Sequence, residues 1–150
     1  AASLLSPLRY LHASTPPVVH RDISPENIIL EEEDRAVLID FGAANEFLGT
    51  ATGTLVGKQC YISPEQFKGK ACTASDLYSL GATLYFLITG EDPTPISSSS
   101  PAEKRPEISA GTDALVKDLT ALEIEDRIKT VEELQARLTP LLSTGVGNLP

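Results

Sequence analysis

The chain has few of the features that would assign it to a membrane, secreted or nucleic-acid-binding class. No apolar run approaches the length of a membrane span, and no signal peptide is visible. Basic residues are scarce, and the net charge of −9 argues against nucleic acid or an anionic membrane as a main partner. The two cysteines, Cys60 and Cys72, lack the spacing of a metal site. We therefore expect a cytoplasmic protein with reduced thiols and no membrane contact within these residues, although an anchor elsewhere stays open.

At 150 residues and 41% apolar content, the chain can form one domain with a buried core. Apolar residues at helical spacing predict helices near the start, the middle and the end of the chain. The predicted helices cover residues 2–13, 73–88 and 131–142, with a further helix that Thr112 caps.

These helices carry more specific expectations. Pro7 fits the first helix only if that helix begins near Ser6 or is kinked. The helix over 73–88 is apolar on nearly every face, which is typical of a core helix. Its predicted inward stripe is Leu77, Leu80, Leu84, Leu87 and Ile88, and the two later helices should also turn Leu122 and Leu142 inward.

Two segments predict little regular structure. Residues 91–108 are rich in Pro and Ser, which indicates a loop or linker with little intrinsic order. Residues 143–150 are expected to form a flexible tail.

One stretch contains most of the chemically useful side chains. The polar loop H-R-D-I-S-P-E-N at 20–27 runs into the apolar segment 28–30, and a second apolar run, 37–39, leads into D-F-G at 40–42. The simplest arrangement is a hairpin that brings three oxygen-bearing side chains near one point, those of Asp22, Asn27 and Asp40. Such a group suits magnesium, with one carboxylate left as a base. The alternative is a plain surface turn between two strands.

These motifs resemble those of the eukaryotic-type protein kinase family. H-R-D, the Asn five residues after that Asp, and D-F-G match the catalytic loop and the metal-binding motif of these kinases. The resemblance implies a protein-kinase-like C-terminal lobe over residues 1–142, mainly α (α+β overall), with a small β-hairpin at the active site. The family's glycine-rich loop, Lys and partner Glu precede the catalytic loop, whereas only nineteen residues precede His20 here. We therefore expect the N-terminal lobe to be absent from this chain.

The resemblance also implies roles for individual residues. Asp22 would act as the base toward the substrate hydroxyl, while Asn27 and Asp40 would hold Mg²⁺ on the ATP phosphates. Arg21 would steady the activation loop. The residues implied at the ATP site are Ile29, Ile39 and Glu26.

The region after D-F-G resembles the kinase activation and substrate-binding segments. Residues 43–56 correspond to the activation loop, where Thr50, Thr52 and Thr54 are either phosphorylation sites or ordinary loop threonines. The family pairs the Glu of its A-P-E motif, here S-P-E, with a distant Arg, which predicts a Glu65–Arg127 ion pair. Asp76 would hold the backbone of the catalytic loop, or would merely complement its helix dipole.

Two positions depart from the family pattern. The Lys that normally follows the catalytic Asp by two residues is Ser24, and the Thr of the substrate segment is Lys58. In the family these two side chains contact each other. If Ser24 and Lys58 have exchanged their chemistry, an ammonium would stay beside the transferred phosphoryl group, and Lys58 would have a catalytic role. Alternatively, both changes indicate a decayed, inactive lobe.

The resemblance predicts phosphoryl transfer from Mg-ATP to Ser or Thr of protein substrates, as part of a two-lobed serine/threonine kinase of bacterial type. Alone, the chain should be nearly inactive, because its partner would be the missing N-terminal lobe. One alternative is a non-catalytic, kinase-like interaction module. The other is a small-molecule kinase of related fold, which the S-P-E segment argues against.

Overall fold

The computed structural model describes residues 2–31, 35–40 and 58–145. Within them the fold is mainly helical, with one antiparallel sheet of two short strands, as expected. The helices are α1 (Ala2–His12), α2 (Pro64–Phe67), α3 (Thr73–Thr89), α4 (Ala110–Leu119) and α5 (Val131–Gly145), and the strands are β1 (Ile28–Leu30) and β2 (Ala36–Leu38). Short 3-10 turns lie at Pro25–Asn27, Lys58–Tyr61, Pro101–Glu103 and Ile124–Asp126.

Helix α1 begins at Ala2, as the predicted range has it, although Pro7 lies inside it, so the alternative of a start near Ser6 does not apply. A proline within a helix removes one backbone hydrogen bond and costs roughly 3 kcal/mol. Three buried leucines offset that cost, since full burial of each contributes about 1.5–3 kcal/mol: Leu4, Leu5 and Leu8. Tertiary packing therefore decides where this helix starts.

Helix α3 is the core helix, but it is not apolar on every buried face. Leu77 and Leu80 are buried, and so are the hydroxyls of Ser79 and Thr83. Ser79 Oγ donates to the Tyr61 carbonyl at 2.6 Å and Thr83 Oγ1 donates to the Ser79 carbonyl at 2.8 Å, so both of these buried hydroxyls are satisfied. The predicted inward stripe is wrong at Leu87, which is 56% exposed because the last turn of α3 carries that side chain past the core.

A close helix crossing joins α3 to α4. A Cβ added at Gly81 would lie 2.5 Å from Leu119 Cβ, which is closer than real Cβ atoms approach. The absence of a side chain at Gly81 therefore allows the two helices to pack at this distance. The crossing fixes α4 against the centre of the core, where Leu115, Val116 and Leu119 are buried.

The sequence placed the cap of α4 three residues too late. Ser109 precedes the helix, and its Oγ accepts from the Thr112 N–H at 3.1 Å, so Thr112 lies in the first turn. Leu122, expected to face inward, lies beyond the helix end and is 42% exposed.

Helix α5 begins at Val131 as predicted but extends to Gly145, past the predicted end at residue 142. Thr130 Oγ1 accepts from the Glu133 N–H and the Glu133 carboxylate accepts from the Lys129 N–H, so both side chains satisfy backbone donors at the start of the helix. Leu142, expected inward, is 51% exposed, whereas the adjacent Leu141 packs against the core. Residues 146–150 lie outside the described residues, and the boundary of the flexible tail stays a prediction.

The segment 91–108 is more tightly held than its composition predicts. The Ser97 carbonyl accepts from Tyr78 Oη at 3.0 Å, and the Ser99 N–H donates to Thr120 Oγ1 at 2.8 Å. Its only described regular structure is the 3-10 turn at Pro101–Glu103. Long-range hydrogen bonds thus fix a segment that local sequence leaves unspecified.

Candidate active site

Asp76 holds the loop that carries Asp22. The Asp76 carboxylate is fully buried, and it accepts from the His20 N–H at 2.8 Å and from the Arg21 N–H at 2.9 Å. His12 Nε2 lies 2.8 Å from the same carboxylate. The predicted contact between Asp76 and the catalytic-loop backbone is therefore present, and α3 and α1 both fix the position of that loop.

Two residues of this region have a left-handed backbone. Arg21 has φ of 69° and Asp40 has φ of 62°, a conformation that costs roughly 1–3 kcal/mol for residues other than glycine. The Arg21 carbonyl accepts from Gln66 Nε2 at 2.7 Å, which ties the loop to helix α2. This contact helps to hold the strained backbone at Arg21, as is common where side chains are aimed at a ligand.

The hairpin brings the three predicted oxygen-bearing residues into one region. Asn27 Nδ2 donates to the Asp22 carbonyl at 2.7 Å, and the Asn27 carbonyl accepts from the Ile39 N–H at 2.9 Å. The register pairs Ile28 with Leu38, so Asp40 follows directly after the residue opposite Asn27. Backbone pairing therefore brings Asn27 and Asp40 to one end of the sheet, beside the loop that carries Asp22.

The donor set fits magnesium. Because the Asp22 carbonyl can only accept, the amide nitrogen of Asn27 must face it, which leaves Oδ1 for a cation. Asp40 adds an exposed carboxylate. The described part of the chain contains no group of three or more His, Cys, Asp or Glu that could hold a metal alone. One amide and one carboxylate agree with Mg²⁺, which is usually bound by one or two carboxylates together with water and substrate phosphates.

The residues predicted for ATP binding lie on or beside the hairpin. Ile29 is 49% exposed, Ile39 is partly buried, and Glu26 is exposed in the 3-10 turn before β1. Their roles stay predictions. The loop 43–56, with Thr50, Thr52 and Thr54, and the side chain of Lys58 fall outside the described residues.

Ser24 is buried, at 3% exposure, and its Oγ has no hydrogen-bond partner among the residues that the structure describes. A buried hydroxyl without a partner costs about 1–3 kcal/mol, so its retention calls for an explanation. Ser24 is one of the two positions at which the sequence departs from the kinase pattern.

Glu65 and Arg127 form the ion pair that the sequence predicts. Arg127 Nη1 and Nη2 lie 2.7 and 3.2 Å from the two carboxylate oxygens, and Ser75 Oγ donates to the same carboxylate at 2.6 Å. Burial alone would raise the pKa of Glu65, but hydrogen bonds from Arg127, Ser75 and Ser63 outweigh it and lower that pKa to about 2. The carboxylate therefore stays charged at neutral pH.

Several supporting residues were missed by the sequence analysis. They are His12, which contacts Asp76; Gln66, which holds the Arg21 carbonyl; Tyr78, whose ring lies 5.1 Å from Arg127 Cζ; and Tyr61, whose hydroxyl donates to Asp92 at 2.5 Å. An imidazole among the leucines of α1 was an available signal, because a polar group on an inward face needs a partner.

Burial, and next the Asp92 carboxylate, raise the pKa of Tyr61. Neither Cys60 nor Cys72 forms a disulfide within the described residues.

Comparison with known proteins agrees with this geometry. The model of the protein kinase domain family matches residues 1–144. The chain belongs to the protein kinase family. Among its curated relatives, serine/threonine-protein kinase D of Synechocystis is 34% identical over 159 residues, covering 96% of this chain and 31% of the relative. PknB of Mycobacterium tuberculosis is 32% identical, with 88% and 27% covered.

Solved structures have the same fold as this kinase-family chain. The apo form of PpkA-294 superposes with a TM-score of 0.74 at 32% identity, covering 91% of this chain and 51% of that one. The Mycobacterium tuberculosis PknI kinase domain gives 0.69 at 24% identity, which supports the fold alone. The chain thus spans about a third of the curated relatives and half of the solved kinases. The expected resemblance to a bacterial serine/threonine kinase, and its C-terminal-lobe fold, are confirmed.

A membrane-crossing helix is not found among the described residues, since none is both long and apolar enough.

Proposed function

We propose that this chain is the catalytic C-terminal lobe of a serine/threonine protein kinase, which transfers the γ-phosphoryl group of Mg-ATP to a Ser or Thr hydroxyl of a protein substrate. The observation that carries the proposal is the position of the Asp22 loop. Asp76 binds the backbone of this loop, and Asn27 joins the loop to the end of the hairpin where Asp40 also lies. The partners proposed are protein substrates and an N-terminal lobe of the family's kind, in the cytoplasm. Nucleic acid is not proposed, because the net charge is −9.

Each active-site residue has a proposed task. Asp22 orients the substrate hydroxyl and accepts its proton, while Asn27 and Asp40 supply oxygen ligands to the metal. When bound, Mg²⁺ neutralises charge on the phosphate oxygens. Ile29 and Ile39 support the adenine, Glu26 borders the nucleotide, and Arg21 steadies the activation loop.

The substrate segment is anchored by the Glu65–Arg127 pair. Glu65 lies in α2 and is the last residue of the segment 57–65 that the resemblance assigns to substrate contact, and both of its oxygens are bound by Arg127. Gln66, the next residue, holds the Arg21 carbonyl. This arrangement supports a role for α2 in aligning the substrate segment with the catalytic loop.

One observation favours the non-catalytic alternative. The buried, unpartnered Ser24 hydroxyl replaces the Lys that the family uses beside the transferred phosphoryl group. If Lys58 does not compensate, the lobe would retain the kinase fold as an interaction module without transfer.

Phosphate transfer distinguishes these functions. The chain is joined to a complete N-terminal lobe and tested with radiolabelled ATP and a Ser/Thr substrate protein. We expect transfer by the wild type, and its loss in Asp22→Asn and in Asp40→Ala, because these changes remove the base and a metal ligand. Asp118→Asn, which alters an exposed carboxylate paired with Arg137, is the matched control and should stay active. Wild-type turnover in Asp40→Ala would contradict the metal assignment, and an inactive wild type would favour the interaction module.

A further inference from the structure

A second cavity lies away from the Asp22 loop. It measures about 230 Å³ and opens between the end of α1, the start of α3 and the start of α5. Its lining residues are Arg9, His12, Ala13, Pro17, Thr73, Lys129, Thr130, Val131 and Glu132. No role in the proposed phosphoryl transfer involves this cavity.

The polar groups that line it are mostly donors. Arg9 Nε donates to Glu132 at 3.0 Å and Nη2 donates to Gln135, which leaves Nη1 without a partner among the described residues. No described residue pairs with the Lys129 ammonium. Two cations thus face one carboxylate, in a chain whose net charge is −9.

Two hydroxyls add further donors. Thr130 Oγ1 accepts from the Glu133 N–H at 3.1 Å, so its own hydrogen is available to a ligand. Thr73, the first residue of α3, also lines the cavity. Donors without acceptors are the complement of an acceptor-rich anion, and phosphate offers charge and several oxygens at once.

We propose that this cavity binds a phosphate group, as inorganic phosphate or as the phosphate of a small ester. The cavity is smaller than the 300–1,000 Å³ typical of sites for drug-sized ligands, which favours a small anion. The proposal does not depend on the catalytic function of the lobe.

The site is connected to the catalytic loop through one side chain. His12 lines the cavity, and its Nε2 lies 2.8 Å from the Asp76 carboxylate. That carboxylate accepts from the N–H groups of His20 and Arg21. An anion beside His12 therefore alters the electrostatic environment of the carboxylate that holds the loop.

Calorimetric titration of the 150-residue chain tests the site. Inorganic phosphate, glycerol phosphate and a phosphoserine peptide are each titrated at constant ionic strength, with chloride as the reference anion, because screening alone affects all anions alike. We expect saturable binding of phosphate. Tighter binding of glycerol phosphate would assign the site to a small ester, and equal binding would assign it to phosphate itself. Absence of saturable binding by both, or tighter binding of a phosphoserine peptide, would overturn the proposal.

Two variants with opposite expected effects on phosphate affinity test whether the phosphate binds in this cavity. Lys129→Gln should weaken phosphate binding about tenfold, since it removes a charged donor. Glu132→Gln should tighten binding several-fold, because it removes the competing carboxylate. Lys68→Gln, at an exposed lysine outside the cavity, is the matched control and should change nothing. Unchanged affinity in Lys129→Gln, with far-UV circular dichroism intact, would reject the site.

Nuclear magnetic resonance tests the connection. Phosphate should shift the amide resonances of His20 and Arg21 in the wild type, and should shift them less in Lys129→Gln at the same concentration. The Ser99 amide, held by Thr120, serves as a distant reference. Saturation without movement of the His20 and Arg21 resonances would refute the connection.

Discussion

Arg127 uses all of its N–H donors to join Glu65 to the interior of the lobe. Two donors bind the Glu65 carboxylate, and the others reach the carbonyls of Ala121, Leu122 and Ala74 at 2.8, 3.1 and 3.2 Å. The guanidinium carbon also lies 5.1 Å from the Tyr78 ring centroid, within cation–π range. A single buried side chain thus connects helix α2, the start of α3 and the segment after α4.

Glu65→Gln should destabilise the lobe by roughly 3–5 kcal/mol, because it leaves the Arg127 charge buried without a counter-ion. Urea denaturation measures the free energy of unfolding. Asp118→Asn, which breaks an exposed pair with Arg137, should change it by about 0–1 kcal/mol. Equal changes in the free energy of unfolding would contradict the larger contribution that we expect of the buried pair.

The same pair should make stability depend on acid pH. The folded-state pKa of Glu65 is lowered to about 2, against 4.5 for an ordinary Glu, so its contribution is complete above about pH 4.5 and disappears as pH falls toward 2. The difference corresponds to roughly 3 kcal/mol. Urea unfolding of the wild type and Glu65→Gln should therefore differ at pH 6 and converge near pH 2. A difference that stays constant over this range would show that Glu65 acts without titrating.

Asp76→Asn should loosen the catalytic loop. An amide presents only one acceptor oxygen, so one of the N–H groups of His20 and Arg21 loses its partner, at a cost of about 1–3 kcal/mol. Amide hydrogen exchange at these two residues should accelerate at least tenfold, while the Ser99 amide keeps its protection. Unaltered exchange at His20 and Arg21 would mean that other contacts hold the loop.

If Ser24 and Lys58 have exchanged their chemistry, substitutions at the two positions should have strongly non-additive effects on the catalytic rate of the two-lobed kinase. If Lys58 supplies the ammonium beside the transferred group, Lys58→Thr should lower the catalytic rate by about a hundredfold or more. The double variant Ser24→Lys, Lys58→Thr restores the family arrangement and should recover much of that loss. Steady-state rates of the four proteins complete the double-mutant cycle.

Two outcomes of that cycle would contradict the exchange. Lys58→Thr with a near wild-type rate would make Lys58 an ordinary lysine. Additive effects would show that the two positions act independently, and both departures would then indicate a decayed active site.

The sequence predicted the hairpin, the helices and the candidate site because these depend on local pattern and motif spacing. Two apolar runs that are separated by a charged turn form a hairpin with one register. In that register Asp40 follows the residue opposite Asn27. The Glu65–Arg127 contact followed from the resemblance, although 62 positions separate the two residues.

Only the tertiary structure decided which apolar side chains are covered and which polar groups meet. Periodicity identifies the apolar stripe of a helix but not how much of that stripe the neighbouring elements cover, so Leu87, Leu122 and Leu142 are exposed against expectation. His12 reaches Asp76 across 64 positions, and the second cavity combines three segments that are far apart in sequence. Such contacts depend on how the elements pack, because no local pattern specifies which distant groups share a buried space.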